Sequence, residues 1–227
     1  MTFPTKTLMW QQILRPALIA AVFFMVLTGL LYPLVTVLTG QTLFPFQAQG
    51  SVITRDGETI GSAVIGQNFT QSYYFHSRPS MTQMAVPNVP SSSISHPYNA
   101  ALSAASNHGP TSKKLLTAVH DRVQDYRKLN NLPADTAVPV DAVTASASGL
   151  DPHISLANAY LQAQRVRLHR GMTQEQIQTL LKTHTLPRTL GLFGEPRINV
   201  LQLNIALDEQ FKPVLSTTKL HENDHEE

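Results

Sequence analysis

Apolar side chains run almost unbroken from Ala17 to Leu38, and no Asp, Glu, Lys or Arg occurs between Arg15 and Arg55. The pattern predicts a helix over residues 16–38. Its length, roughly 34 Å at 1.5 Å per residue, is enough to cross the hydrocarbon core of a bilayer. The 13 Leu, Ile, Val and Phe residues of that stretch favour insertion by about 4–8 kcal/mol. Pro33 is expected to kink the last turn. A buried core helix of this length would show a charged face. A cleaved signal would need a shorter apolar run and a small residue where Leu38 stands. The reading is therefore an uncleaved single span. Lys6 and Arg15 precede it and no acidic residue occurs before Asp56, which keeps residues 1–15 in the cytoplasm by the positive-inside rule. Residues 39–211 then form an exported domain, and 212–227 a polar, frayed tail.

Beyond the span the periodicity shortens and varies. Leu43-Phe44-Pro45-Phe46 reads as an interfacial exit with its aromatics at the headgroups. Ser51–Thr54 and Thr59–Ile65 predict a β-hairpin turning at Asp56-Gly57. Tyr73–Pro79 reads as the end of a core strand stopped by proline. Residues 79–97, rich in Pro and Ser, read as a long loop. Thr111-Ser112 caps a helix to about Leu129, with Leu115, Leu116, Val119, Val123 and Tyr126 on one face and Asn130-Asn131 and Pro133 ending it. Ser155 caps a helix over Leu156–Arg170, stopped at Gly171, and Thr173 with Gln176 makes a capping box for a helix to about Thr183. Arg197–Leu207 alternates like a strand, but its apolar parity slips between Val200 and Leu201, which calls for a bulge there or a switch to helix. Helices interspersed with short strands predict an α+β exported domain behind one transmembrane helix.

Charge and composition narrow the chemistry. Of the 17 basic residues, Lys6 and Arg15 precede the span, so 15 basic face 15 acidic residues beyond it. A neutral exported part is no phosphate-binding surface, and nucleic acid is excluded as a partner. The absence of cysteine excludes disulfides and thiolate metal sites. No Walker A or dinucleotide glycine motif occurs. His221-Glu222-Asn223-Asp224-His225 fits the zinc-protease pattern, but in an acidic tail without an apolar face. No metal site is expected. Ser146, Ser148, Asp151 and His153 supply the members of a hydrolase triad, so a membrane-tethered hydrolase using Ser148, Asp151 and His153 is the alternative function. The sharp turn that presents a catalytic serine is missing, and turn chemistry feeding the Ser155 cap is the simpler account.

Several short words recur in one family. Gly61-Ser62 with Ile65-Gly66-Gln67-Asn68-Phe69, Tyr74-Phe75 with Arg78-Pro79-Ser80, Ser106-Asn107 and Gly109-Pro110-Thr111 come first. Pro139-Val140-Asp141, Val143–Ser146 and Ser148-Gly149-Leu150-Asp151-Pro152-His153-Ile154-Ser155 follow. Then come Gln162, Arg165-Val166, Arg170-Gly171, Gly194-Glu195-Pro196-Arg197-Ile198-Asn199-Val200-Leu201 and Leu203-Asn204. In these, and over roughly residues 16–208, the chain resembles the C subunit of the bacterial Kdp potassium-transporting P-type ATPase.

The resemblance implies a non-catalytic subunit of a high-affinity K+ uptake pump in a bacterial inner membrane, its main domain on the periplasmic or extracellular side. A K+-channel-like subunit, a P-type ATPase subunit and a small single-span subunit would be its partners, handling K+ and ATP; no cofactor is expected on this chain. The family subunit is described as a catalytic chaperone that raises the ATP affinity of the hydrolysing subunit, through a Ser-Gly-Gly-Ser-Asn motif. Here that stretch is Ser103-Ala104-Ala105-Ser106-Asn107. Alanine obstructs the close backbone approach to phosphate that glycine allows. With the orientation above, Ser103, Ser106 and Asn107 also face away from cytoplasmic ATP. The family positions expected to shape structure or contacts are Gly66, Gln67, Phe69, Arg78, Pro79, Asp141, Ser148, Gly149, Asp151, Pro152, His153, Arg165, Glu195, Arg197, Asn199 and Asn204.

Overall fold

A computed structural model of the chain describes residues 10–86 and 89–213, in two compact units, Met1–Val52 and Ile53–Glu227. The His221–His225 motif and nearly all of the polar tail lie outside the described residues.

The first unit is one continuous helix, residues 10–43, followed by a short one, Pro45–Ala48. No residue of its apolar stretch is buried. Two five-residue π-helical stretches, Trp10–Leu14 and Leu27–Leu31, interrupt the α-helical turns. Each lies just before a proline, Pro16 or Pro33. Proline has no N–H for the carbonyl four residues back, and its ring presses on that carbonyl; widening the preceding turn relieves both. The Tyr32 N–H accordingly reaches back five residues to Leu27 O. The helix runs ten residues past Pro33 to Leu43, beyond the expected end at residue 38, so Pro33 does not stand in its last turn. Thr36, Thr39 and Thr42 carry it on, their hydroxyls donating to carbonyls three and four residues back. It stops at Phe44 (φ −136°), the residue that Pro45 bars from helical geometry.

The second unit is α+β. β1 (Val52–Arg55) and β2 (Glu58–Ser62) form the expected hairpin, with positive φ at Asp56 and Gly57. β3 (Gln83–Val86) and β4 (Val89–Ser95) form a second antiparallel hairpin. It replaces the long loop expected over 79–97. Its strands are short, serine-rich and mostly exposed where described, so they lack the apolar alternation by which a strand is recognised. β5 (His153–Ser155), β7 (Arg197–Asn199) and β6 (Thr185–Leu186) make a three-stranded antiparallel sheet in that order.

Helices Leu156–His169, Gln174–Thr183 and Val200–Gln210 supply most of the core around that sheet. Ile154, Ala159, Ala163, Val166, Ile177, Leu181, Ile198, Leu203 and Leu207 are all buried there, together with Phe75. Ser155 caps its helix by accepting the Asn158 N–H (3.1 Å), and Thr173 with Gln176 forms both bonds of the capping box. The parity slip at Val200 is a switch to helix, with Asn199 as its cap. The Lys113–Leu129 helix turns Leu115, Val119, Val123 and Tyr126 inward, while Leu116 is exposed, correcting its expected place on that face. Leu116 sits about 100° around the helix from Leu115, off the packed stripe.

Candidate functional site

Tyr73–Pro79 is not a strand, contrary to expectation. Side chains take the place of a neighbouring strand. Asn204 Oδ1 accepts the Phe75 N–H (3.0 Å) and its Nδ2 donates to Phe75 O (2.9 Å). Gln162 does the same for His76, accepting its N–H at 2.7 Å and donating to its carbonyl at 3.1 Å. Arg165 is buried and, among the described residues, has no carboxylate partner; it donates to Ser72 O, Tyr74 O, Asn130 Oδ1 and Gln162 Oε1. Burial lowers the Arg165 pKa to about 10.

Asn158, Gln162 and Arg165 recur at i, i+4 and i+7, a polar stripe on a core-facing helix. Asp141 extends it, accepting from the Ser155 N–H and hydroxyl (both 2.8 Å) and from Asn158 Nδ2 (2.9 Å). Tyr126 Oη closes the chain by donating to Asn158 Oδ1 (2.8 Å).

A second cluster gathers at the turn before β5. Arg78 pairs with Asp151 (3.0 Å), and its guanidinium faces the carbonyls of Thr144 and Ala145. Asp151 also accepts the His153 N–H (3.0 Å) and lies 3.3 Å from His153 Nδ1. Burial raises the Asp151 pKa, but the two His153 hydrogen bonds and the Arg78 charge outweigh it, and the carboxyl stays below its ordinary range. Tyr98 Oη donates to Arg78 O (2.9 Å); burial pushes this phenol up to about 12, so it remains a donor.

Two glycines make the close approaches that this cluster requires. A methyl group on Gly66 would overlap the Tyr98 ring, and Gly66 N–H donates to Leu150 O (2.9 Å). Gly149 has φ +70°, and a Cβ there would stand 2.6 Å from Ala104 O.

Ser103 Oγ (3.0 Å) and the Ala104 N–H (2.9 Å) both donate to Ser148 O, so the Ser103–Asn107 stretch is bound to this turn. Asn107 adopts a left-handed φ of 51°. The hydrolase relay is not assembled. Ser148 Oγ accepts the Leu150 N–H (3.1 Å) and lies 3.4 Å from Ser146 Oγ, and no Ser148–His153 hydrogen bond occurs among the described residues. Acyl transfer needs that bond.

The remaining family positions make contacts of their own. Gln67 Nε2 donates to Ile60 O (2.6 Å), Phe69 packs on the core beside Tyr74, and Pro152 O accepts the Val200 N–H (2.9 Å). Arg197 sits in β7 opposite Ser155, and Asn199 Nδ2 donates to Ala63 O (2.7 Å). Glu195 is exposed and pairs with Arg188 at 2.7 Å.

Between the Lys113–Leu129 helix and residues 68–80 opens a cleft of about 800 Å³. Phe69, Pro79, Tyr98 and Tyr126 supply apolar walls, with Arg78, Arg122 and Lys128 as cations and Asp125 as an anion. Arg122 donates to Val143 O (3.1 Å), and its second amino group meets the weak acceptor Met81 Sδ at 3.8 Å. The cleft can hold an extended apolar group with a polar edge.

Asn158 and Tyr98 join these clusters unforeseen by the sequence. A polar residue in an amphipathic pattern is assigned outward by default; only the flanking Ala159, Ala163 and Val166 mark the stripe as inward. Tyr98 followed a stretch read as loop.

Over residues 14–209 the chain matches the family described as K+-transporting ATPase, c chain. It is similar to the potassium-transporting ATPase KdpC subunit of Mycobacterium tuberculosis (strain ATCC 25618 / H37Rv), 52% identical over 195 residues, 86% of this chain and 97% of the relative. The KdpC subunit of Rhodopseudomonas palustris (strain BisB18) is 50% identical over 195 residues, 86% of this chain and 96% of the relative. That of Bradyrhizobium diazoefficiens is 50% identical over 196 residues, with the same coverage.

Proposed function

The chain belongs to the KdpC family, the c chain of K+-transporting ATPases, and we propose that it is the single-span accessory subunit of such a pump. Its helix lies in the bilayer with residues 1–15 in the cytoplasm. The α+β unit stands outside, where it stabilises the assembled pump and covers or gates the outer K+ entrance. Potassium passes through a channel-like partner, and ATP is hydrolysed on a P-type partner. A small single-span chain completes the assembly. This chain contributes contacts and no bond-breaking group.

The observation that carries the reading is the apolar helix Gln12–Leu43, with mean hydropathy 2.4 in its most apolar stretch and no residue of that stretch buried. A helix of that length left bare has lipid or partner spans as its natural surroundings. The test is co-purification of the tagged full chain from its native membrane in mild detergent. The expected companions are a channel-like subunit and a P-type ATPase. A chain that leaves the membrane in salt alone, or emerges without pump subunits, overturns the reading. An alkaline-phosphatase fusion after Thr54 checks the orientation and is expected to be active.

A further inference from the structure

One stripe of the Lys113–Leu129 helix is given to the cleft. Arg122, Asp125, Tyr126 and Leu129 stand at i, i+3, i+4 and i+7, and all four line it. Apolar surface dominates the walls, yet the charges on them do not cancel. Arg78 is paired with Asp151. Among the described residues, Arg122, Lys128 and Asp125 make no ion pair. Burial, and then the charge of Arg165, hold the His76 pKa below its ordinary value, so His76 adds no charge at neutral pH. The cleft is left with two unpaired cations against one anion.

Arg122 is the better placed of the two cations. Its bond to Val143 O (3.1 Å) fixes the guanidinium, so little rotamer freedom remains to be lost on binding. Its Nε makes no hydrogen bond among the described residues and is not buried. Its second amino group rests on Met81 Sδ at 3.8 Å, a weak acceptor that a carboxylate oxygen outcompetes.

We propose that the cleft is a binding site for a small amphiphilic monoanion, an aromatic or aliphatic body bearing one carboxylate. The carboxylate takes the open edge of the Arg122 fork, with Lys128 as the second cation. The body lies between Phe69, Pro79, Tyr98 and Tyr126. A volume of about 800 Å³ and apolar walls with a few convergent polar groups are the ordinary features of a small-molecule site. Asp125 sets the charge limit, because a second negative group on the ligand would meet it as a like charge. The site lies wholly within the second unit and does not depend on the membrane span.

Met81 reports on the site because its sulfur touches Arg122, and Met172, buried in the core, serves as reference. The full chain, labelled with 13C at the methionine methyls, is placed in phosphatidylcholine nanodiscs and titrated at neutral pH with 2-naphthoate. The Met81 signal is identified by its loss in Met81→Leu. The expected result is a saturable shift of Met81 with Met172 unmoved. The uncharged 2-naphthalenemethanol is expected to need about tenfold more for the same shift, the worth of a charge-assisted hydrogen bond. Arg122→Gln weakens naphthoate by about tenfold, and Lys128→Gln by about two- to fivefold. Asp125→Asn strengthens it by about two- to fivefold. If Arg122→Gln also displaces the Met172 signal, the fold has changed and the Lys128 and Asp125 variants decide. Equal affinity for the acid and the alcohol overturns the proposal, as does a Met81 signal unmoved by millimolar naphthoate. A Met81 signal that moves only when other pump subunits are added overturns it too, and assigns the cleft to a protein partner.

Discussion

Asn204 shows how much a single side chain holds in this protein. It lies in an apolar helical run, Leu203-Asn204-Ile205, yet it is buried and spends its amide on both backbone groups of Phe75. Replacing it by alanine strands a buried N–H and a buried C=O, each about 1–3 kcal/mol. Asn204→Ala is therefore expected to lower the stability of the second unit by about 2–4 kcal/mol. The shift in urea midpoint of the full chain in detergent measures it. An unchanged midpoint would show that the Phe75 segment is held by other contacts. The family pattern marked Asn204 as a position of interest, but its task was invisible, because its partner lies 129 residues away.

Elements whose signals are local were legible. Asp56-Gly57 marked a turn, Ser155 a helix start, and Thr173 with Gln176 a capping box, since each such pattern closes within three residues. The β3–β4 hairpin was not legible, because its register is fixed by pairing across the turn and its exposed faces carry no apolar rhythm. The N-terminal helix sits between these cases. Its apolar length was plain, but the response to its prolines was not, because a helix can accommodate proline by a kink, a break or a widened turn. If Pro33 causes the π-helical stretch Leu27–Leu31, Pro33→Ala removes the cause. The new N–H is expected to bond Gly29 O, and Tyr32 to shift its bond from Leu27 to Thr28. Amide exchange by NMR in micelles reads this as new protection at residue 33. An unaltered pattern over 27–33 would exclude proline as the origin.

At the scale of the whole molecule, the buried polar stripe makes stability depend on pH. Burial, and then the charge of Arg165, hold the His76 pKa below its ordinary value, against the hydrogen bond to Gln71 O. The unfolded chain then binds the His76 proton more readily than the folded one. This contribution is complete above about pH 6.5 and is lost as pH falls through that value toward the folded pKa. The denaturation midpoint of the full chain is expected to fall between about pH 7.5 and 5.5, and His76→Gln to flatten the decline. A wild-type midpoint that rises on acidification over this window would contradict the assignment. The same geometry governs how the wall of the cleft can move. A β-ladder slides by two residues and remakes its bonds, whereas a strip hung from Asn204 and Gln162 has a single seat. Leaving it uncouples Phe75, His76 and the carbonyls facing Arg165 together. That wall of the cleft is therefore held as one piece, and loosening any part of it costs the whole set of bonds.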